Sequence, residues 1–102
     1  MLIGWGSTYG ALSEVVDILR RDKVDISLLH FNEIWPFPSD ATAAAMAGAS
    51  KVYDVESNAT GQLAHLLRAE TGKKVDGKIL EFDGRPITPA FVIEQMNKED
   101  YL

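Results

Sequence analysis

The feature that most constrains the fold lies in the first ten residues, where an apolar segment runs directly into a glycine-rich turn. Residues 2–5 are Leu-Ile-Gly-Trp, and residues 6–10 are Gly-Ser-Thr-Tyr-Gly. A strand, a tight turn and an amphipathic helix in this order predict a βα unit of a parallel sheet. The turn would lie at the carboxyl end of the strand, where an open helix N-terminus favours anions. The helical apolar positions are Leu12, Val15, Val16 and Leu19.

The same alternation continues along the chain. Glycine and proline mark the breaks between periodic segments, as Gly48 and Gly72 do after two predicted helices. Four strands that alternate with helices predict an open three-layer α/β/α sheet with right-handed crossovers. Further strands are predicted at 24–31, 51–56 and 79–82, and further helices at about 39–47, 62–70 and from residue 89.

Each predicted helix start has a residue whose side chain can accept a hydrogen bond from a free backbone N–H group. Thr88 precedes a proline at the first helical position, which is a frequent helix start. The other candidates come in pairs: Ser7 or Thr8, Ser39 or Asp40, and Asn58 or Thr60.

Length, charge and cysteine content exclude several classes of protein. The chain has 102 residues, which suffice for one domain, and its formal net charge of −5 argues against nonspecific nucleic-acid binding. Without cysteine, this chain can form neither a disulfide framework nor a Cys-ligated iron–sulfur cluster. No apolar run reaches the length of a membrane span and no leader pattern is present, so we expect a cytoplasmic protein.

The glycine-rich turn invites comparison with a dinucleotide-binding fingerprint. Gly4, Gly6 and Gly10 come close to it, but the spacing to the last glycine is one residue too long. The second predicted strand also lacks an acidic residue in the usual place, since Asn32 and Glu33 are the nearest candidates. A tight strand-to-helix turn is the simpler interpretation, and a nucleotide or anion site is the alternative.

The segment after the third predicted strand has two interpretations. Asn58 or Thr60 can cap the following helix, and Glu56 can accept hydrogen bonds from loop amides. Alternatively, Glu56 belongs to a site that a ligand or another subunit completes. Gly61 ends this turn.

Other residue types give weaker indications. His30 and His65 are the only histidines, and their spacing does not suggest a metal site; no serine lies in a hydrolase nucleophile motif. Trp35 and Phe37 each precede a proline, which stiffens their loop. The two aromatic side chains either fold back over the core or serve as an anchor for a partner.

Four segments that occur in register resemble a known family. Together they are similar to the carboxyl-terminal part of the alpha subunit of 2-oxoacid:ferredoxin oxidoreductases, and the likeness spans about residues 3–97. The segments cover residues 4–10 (GWGSTYG), 35–38 (WPFP), 55–63 (VESNATGQL) and 83–89 (DGRPITP).

The resemblance implies a fold like the carboxyl-terminal domain of transketolase. In that fold a mostly parallel sheet carries one antiparallel edge strand from upstream, and we expect that strand to be missing here. The implied order places the Ile26 strand first, then the Leu2, Val52 and Ile79 strands. Residues 1–102 would form one such domain, a fragment of a longer alpha chain.

The resemblance also implies a function. Members of the family oxidatively decarboxylate a 2-oxoacid with coenzyme A, use thiamine diphosphate and Mg²⁺, and pass electrons through iron–sulfur clusters to ferredoxin. Those groups bind to other domains and subunits, so this chain alone is expected to be inactive and to bind none of them. Its expected partners are the thiamine-binding remainder of the alpha chain, the beta subunit and, through the holoenzyme, ferredoxin, but neither nucleic acid nor a membrane.

The implied role is that of an assembly domain without catalytic residues or metal ligands. Two alternatives are a stand-alone nucleotide- or anion-binding module and the equivalent domain of another thiamine diphosphate enzyme, such as transketolase or a 2-oxoacid dehydrogenase beta chain. The residues expected near an interface or ligand are Gly6, Ser7, Thr8, Trp35, Phe37, Glu56, Asn58, Thr60, Gly61 and Arg85.

Overall fold

A four-stranded, wholly parallel sheet forms the centre of the molecule. The computed structural model describes all residues from 1 to 102. The spatial strand order is β2-β1-β3-β4, which confirms the predicted order. The strands are β1 (Leu2–Trp5), β2 (Leu28–Phe31), β3 (Tyr53–Glu56) and β4 (Gly77–Leu80).

Helices cover both faces of the sheet, so the predicted three-layer α/β/α fold is confirmed. The first and last helices pack together on one face, and the middle two pack together on the other. No helix is long and apolar enough to cross a membrane. The helices are α1 (Tyr9–Arg21), α2 (Ser39–Ala47), α3 (Gln62–Thr71) and α4 (Pro89–Lys98).

The two faces of β3 point to different parts of the hydrophobic core, because successive residues of a strand alternate between faces. Val55 joins the cluster of α1 and α4, which also contains Leu12 and Val92. The opposite face looks toward α2 and α3, whose cluster contains Leu63. On that side β3 carries two carboxyl groups, which are central to the site described below.

The second strand begins later than predicted, at Leu28 rather than at residue 24. Pairing with β1 starts at Leu28, opposite Leu2, because β1 itself has no earlier residue in the sheet. The preceding residues instead connect back to α1: the Arg20 Nε–H group donates to the Ile26 carbonyl at 2.9 Å. The chain from 24 to 27 therefore leads into the sheet without belonging to β2.

The fourth strand is displaced from the predicted 79–82 to Gly77–Leu80. Its partner sets its limits, because β4 pairs from Tyr53↔Gly77 to Glu56↔Leu80 and β3 ends there. Glu81 and Phe82 thus lie beyond the sheet, in the connection to α4. The apolar run in the sequence does not indicate where β4 ends.

Helix caps are partly as predicted. Thr88 accepts a hydrogen bond from the Phe91 amide at 3.1 Å, Pro89 follows it, and Gly72 ends α3 in a left-handed conformation. Neither Ser7 nor Thr8 caps α1, because a 3-10 turn (Gly6–Thr8) precedes the helix and the Thr8 hydroxyl donates to the Trp5 carbonyl at 3.0 Å.

The predicted cap of α2 is also wrong. The helix begins at Ser39, and no side chain accepts a hydrogen bond from its first amides. The Ser39 hydroxyl instead donates to Glu70 of α3 at 3.3 Å, which joins the two helices that cover this face. Ser39 therefore acts between helices and not as a cap.

Gly4 allows α1 to lie directly against β1. A Cβ atom at this position would collide with Leu12 Cδ1 and would lie 2.7 Å from Thr8 Oγ1. Leu12 is fully buried and cannot move aside easily. Gly10 lies six residues further on, and a Cβ atom there would meet nothing within 4 Å.

These contacts predict opposite outcomes for two glycine substitutions. Gly4→Ala should lower the free energy of unfolding by about 1–3 kcal/mol, because it overpacks the α1–β1 contact. Gly10→Ala, the matched control on exposed helix surface, should be neutral or should stabilise the chain by up to about 1 kcal/mol. Urea denaturation of both variants measures the difference; equal stabilities would contradict the close approach at Gly4.

Candidate functional site

The carboxyl ends of the four strands lie along one edge of the sheet, and two clefts open there. The first, which we call the Gly6 cleft, has a volume of about 220 Å³. The second, the Glu81 cleft, has a volume of about 600 Å³ and lies between residues 57–59 and the 81–86 connection. Ser57 and Asn58 line both clefts, so the β3–α3 loop separates them. The Gly6 cleft is lined by Trp5, Gly6, Ser7, Thr8, Ser57 and Asn58.

Glu56 lies at the end of β3 and points beneath the first turn of α3. It is fully buried, and its Oε1 atom accepts the Leu63 amide at 2.7 Å while Oε2 accepts the Ala64 amide at 3.2 Å. Asn58 Nδ2 donates to Oε1 at 2.9 Å. Glu56 therefore performs for α3 the task of an N-cap side chain, because it accepts from free amides at a helix start.

Asn58 completes this arrangement from the loop. Its Oδ1 atom accepts the amides of Thr60 at 3.1 Å and Gly61 at 2.7 Å. Gly61 adopts a left-handed conformation, with φ of +68°, that favours glycine. Lys78 Cδ would lie 3.1 Å from a Cβ atom at Gly61, so the loop also packs tightly against β4. Thr60 remains exposed.

Asp54 is a second buried carboxyl group, two residues before Glu56 on the same face of β3. It is fully buried, and neither of its carboxyl oxygens accepts a hydrogen bond from an N–H or hydroxyl group. Burial first, and then the hydrogen bond and the negative charge of Glu56, raise the pKa of Asp54 to about 9. Asp54 is therefore protonated at neutral pH and donates its proton toward Glu56.

Glu56 is the ionised member of this pair. Burial opposes its ionisation, but the hydrogen bonds from Asp54, the Leu63 amide, Asn58 and the Ala64 amide outweigh burial and lower the pKa of Glu56. The positive end of the α3 dipole favours the same charge state. The two carboxyl groups thus carry one proton and one negative charge beneath the start of α3.

The glycine-rich turn contributes little polar chemistry to the Gly6 cleft. Gly6 has a φ of +64°, Ser7 is exposed, and the Thr8 hydroxyl is occupied by the Trp5 carbonyl. Gly10 lies within α1 with open space around it, whereas the last glycine of a dinucleotide fingerprint makes the helix–strand contact. In this chain Gly4 makes that contact, so the nucleotide interpretation gains no support.

The two aromatic residues of the proline-rich loop point in different directions. Phe37 stacks on Phe31, with ring centroids 5.3 Å apart, and packs against the core cluster of α2 and α3. Trp35 is 67% exposed. Phe37 therefore covers the core, whereas the role of the exposed Trp35 as an anchor for a partner stays a prediction.

Arg85 and the two histidines do not line the Gly6 cleft. Arg85 is exposed and pairs with Asp83, to which its Nε–H donates at 2.8 Å. Burial lowers the pKa of His30, against smaller opposing contributions from the Gly6 backbone and Asn32. His65 is exposed on α3, and no group of three His, Cys, Asp or Glu residues could hold a metal ion.

Three residues at this edge escaped the sequence analysis: Asp54, Glu81 and Phe82. Asp54 and Glu56 are two residues apart in one predicted strand, so the sequence is consistent with a shared face. No other feature of the sequence marks Asp54 as a site residue. Glu81 is 8% exposed and Phe82 is 68% exposed. The sequence pattern places both residues in the fourth strand, whereas the structure places them in the loop that follows it.

The Glu56 geometry predicts a large effect for a small change. Glu56→Gln retains the size of the side chain but presents only one acceptor oxygen to the amides of α3. We expect the free energy of unfolding to fall by about 1–3 kcal/mol, because hydrogen bonds to a buried charged group are lost. Glu94→Gln, on the exposed surface of α4, is the matched control and should change it by less than about 0.5 kcal/mol. Similar denaturation curves for both variants would contradict the capping role of Glu56.

The Asp54 geometry predicts a specific pH dependence. The folded chain keeps a proton up to about pH 9, whereas the unfolded chain releases it near the ordinary pKa of 3.8. The stabilisation that this proton contributes is complete below the unfolded-state pKa of 3.8. It declines as the pH rises from there toward the folded-state pKa of about 9. Asp54→Asn cannot ionise, so the decline should disappear, and the variant should be more stable than the original chain at pH 8.

Urea denaturation at several pH values between about 5 and 9 tests this expectation. Asp40→Asn, which removes an exposed carboxylate at the start of α2, is the control and should leave the slope unchanged. Parallel pH profiles for the original chain and Asp54→Asn would mean that Asp54 is ionised in the folded state.

Comparison with known families gives a consistent result. The family described as pyruvate:ferredoxin oxidoreductase core domain II matches residues 1–92. The chain is 37% identical over 86 residues to the alpha subunit of 2-oxoacid:ferredoxin oxidoreductase 2 from Aeropyrum pernix, which covers 84% of this chain and 13% of that protein. It is 31% identical over 105 residues to pyruvate synthase subunit PorA from Methanothermobacter thermautotrophicus, which covers 98% of this chain and 27% of that subunit.

Solved structures agree with these relatives. One is a 2-oxoglutarate:ferredoxin oxidoreductase from Magnetococcus marinus with 2-oxoglutarate, coenzyme A and succinyl-CoA bound. It matches 96% of this chain and 17% of its own, with a TM-score of 0.88 and 32% identity. Another is the alpha chain of a probable 2-oxoacid ferredoxin oxidoreductase from Thermoplasma acidophilum, with a TM-score of 0.61, 29% identity and coverage of 98% and 89%.

This chain spans only a small part of the curated relatives that it matches, between 13% and 27% of the two described. The match nevertheless extends over most of the chain, and the motifs that it covers are the ones that build the carboxyl edge. The chain therefore belongs to the pyruvate:ferredoxin oxidoreductase core domain II family, and it is similar to alpha subunits of 2-oxoacid:ferredoxin oxidoreductases.

Proposed function

We propose that this chain is an assembly domain, and that its task is to hold other parts of a 2-oxoacid:ferredoxin oxidoreductase in position. The holoenzyme would oxidatively decarboxylate a 2-oxoacid to an acyl-CoA, with ferredoxin as the electron acceptor. Residues 1–102 would form one domain within the larger alpha chain. Correct positioning matters for such a reaction, because an error of about 1 Å can reduce a rate on the order of a hundredfold.

One contrast at the carboxyl edge carries this proposal: the polar side chains of Glu56 and Asn58 bind backbone amides of this chain, while two large aromatic side chains are exposed. Glu56 and Asn58 are engaged by amides of the loop and of α3. Trp35 and Phe82 are both more than two-thirds exposed. Exposed aromatic residues are enriched at the energetic centres of protein interfaces, so the edge favours contact with a protein over binding of a polar cofactor.

The cofactors of the holoenzyme would bind elsewhere. Mg²⁺ with thiamine diphosphate needs accessible oxygen ligands, and the oxygens of Glu56 are buried and already accept N–H groups. Glu56, the carboxylate at the end of β3, therefore does not fit as a ligand of that cofactor. We propose that thiamine diphosphate, Mg²⁺, the iron–sulfur cluster and coenzyme A belong to other domains and subunits, and that the remainder of the alpha chain and the beta subunit are the direct partners. A cytoplasmic location stays a prediction.

Calorimetry of this chain with thiamine diphosphate and Mg²⁺ tests the assignment. We expect no heat of binding and no turnover of a 2-oxoacid by the chain alone. Tight binding of thiamine diphosphate would overturn the assembly role, since the cofactor would then have a site here.

Substitution of the two loop aromatics separates packing from assembly. Trp35→Ala should weaken association of the alpha chain with the other subunits of its oxidoreductase by about tenfold or more, because it removes an interface anchor. It should change the stability of this domain by less than about 0.5 kcal/mol. Phe37→Ala, the matched variant, should destabilise the domain by about 1–3 kcal/mol, because it removes the stack on Phe31.

Size-exclusion chromatography of the co-expressed subunits measures assembly, and urea denaturation of this chain measures stability. If Trp35→Ala left assembly intact but unfolded the domain, Trp35 would be a core residue and the proposed interface would be wrong.

A further inference from the structure

The Glu81 cleft contains a buried carboxylate that has no cationic partner. Glu81 is 8% exposed, and its Oε1 atom accepts the Asp83 amide at 3.0 Å, while Oε2 accepts no hydrogen bond from the protein and stays open to the cleft. Glutamate side chains this deeply buried are rarely left unpaired. The charge of Glu81 is therefore only partly compensated within this chain.

The nearby cation is already engaged. Arg85 donates from Nε to Asp83 at 2.8 Å and forms its ion pair with the same carboxylate. The hydrogen bond to Asp83, followed by the charges of Asp83 and Glu81, raises the pKa of the Arg85 guanidinium. The other ion pair, Lys51–Asp76, precedes β3 and β4 and lies at the opposite edge of the sheet. No cation of the chain is within ion-pair distance of Glu81.

An aromatic ring lines the same cleft as this carboxylate. Phe82 follows Glu81 directly, is 68% exposed, and lines the same cleft. A guanidinium group suits such a pair, because its planar face stacks on an aromatic ring while its N–H groups donate to a carboxylate. A lysine ammonium lacks that planar geometry.

We propose that Glu81 and Phe82 form a receptor site for an arginine side chain of a partner polypeptide. The Glu81 cleft adjoins the Gly6 cleft through Ser57 and Asn58, so the arginine would enter the same edge that is proposed to face the other parts of the enzyme. This inference rests on the proposed assembly function in one respect, the identification of the partner as another polypeptide of the oxidoreductase.

Exposed aromatic residues support this choice of occupant. The chain has four exposed large hydrophobic residues, and three of them, Tyr9, Trp35 and Phe82, follow the carboxyl ends of strands. With a net charge of −5, the chain also attracts a positively charged partner surface. Both observations favour a protein surface with an arginine within an apolar region.

An NMR titration of the ¹⁵N-labelled chain with acetyl-Ala-Arg-Ala-amide tests the site. We expect saturable shifts confined to the amides of residues 57–59 and 81–85, with a dissociation constant on the order of millimolar. The matched peptide with citrulline, which is neutral but has nearly the same shape, should bind about tenfold more weakly. The lysine peptide should also bind more weakly than the arginine peptide.

Two variants locate the site. Glu81→Gln should weaken binding of the arginine peptide by about tenfold, and Phe82→Ala should weaken it about threefold. Glu94→Gln should leave binding unchanged. The spectra report directly whether each variant is folded, and Phe82→Ala alters an exposed side chain, so it keeps the test decisive if Glu81→Gln disturbs the loop.

Equal binding of the arginine and citrulline peptides would overturn the proposal, as would binding that is unaffected by Glu81→Gln in a folded protein. An equally strong lysine peptide would overturn the specificity for arginine. The titration needs no other subunit, so its failure would leave the assembly role intact, whereas a failure of the assembly role would appear in the Trp35 measurement.

Discussion

The buried carboxylate of Glu56 is the interaction on which the carboxyl edge depends. It joins three parts of the chain, since it sits on β3, accepts amides of α3 and is held by Asn58 of the loop between them. An isolated charge in this place would be strongly unfavourable. It becomes favourable because the helix start supplies N–H groups and a positive dipole end, and because Asp54 retains its proton. The buried Glu56 carboxylate therefore fixes the β3–α3 loop, which separates the two clefts.

This arrangement explains why Glu56 and Asn58, although they belong to a polar motif, leave few polar groups free. The residues that attract attention in the sequence are needed to satisfy backbone groups at the point where a strand ends and a helix begins. Trp35 and Phe82 remain accessible at this edge, beside exposed polar residues such as Ser7, Thr60 and Arg85. Under the proposed assembly role, this surface would contact other protein segments.

Much of the fold followed from the sequence, because periodicity and turn residues carry the information for elements such as α1 and α4. Strand limits did not follow, because they depend on the neighbouring strand: β4 stops where β3 stops, and β2 starts where β1 starts. Glu81 was thus misplaced. The roles of Trp35 and Phe37 could not be separated either, because both precede a proline, and only the position of Phe31 decides which ring is covered.

The stack of Phe37 on Phe31 has a consequence for the loop that carries Trp35. The Phe37 ring anchors the segment to the core, two residues from the Trp35 indole. Pro36 and Pro38 restrict the backbone on either side of Phe37. The indole is thereby held near one place before any encounter. Little conformational freedom would be lost when another surface covers it, so recognition at this point can proceed by near-rigid fitting.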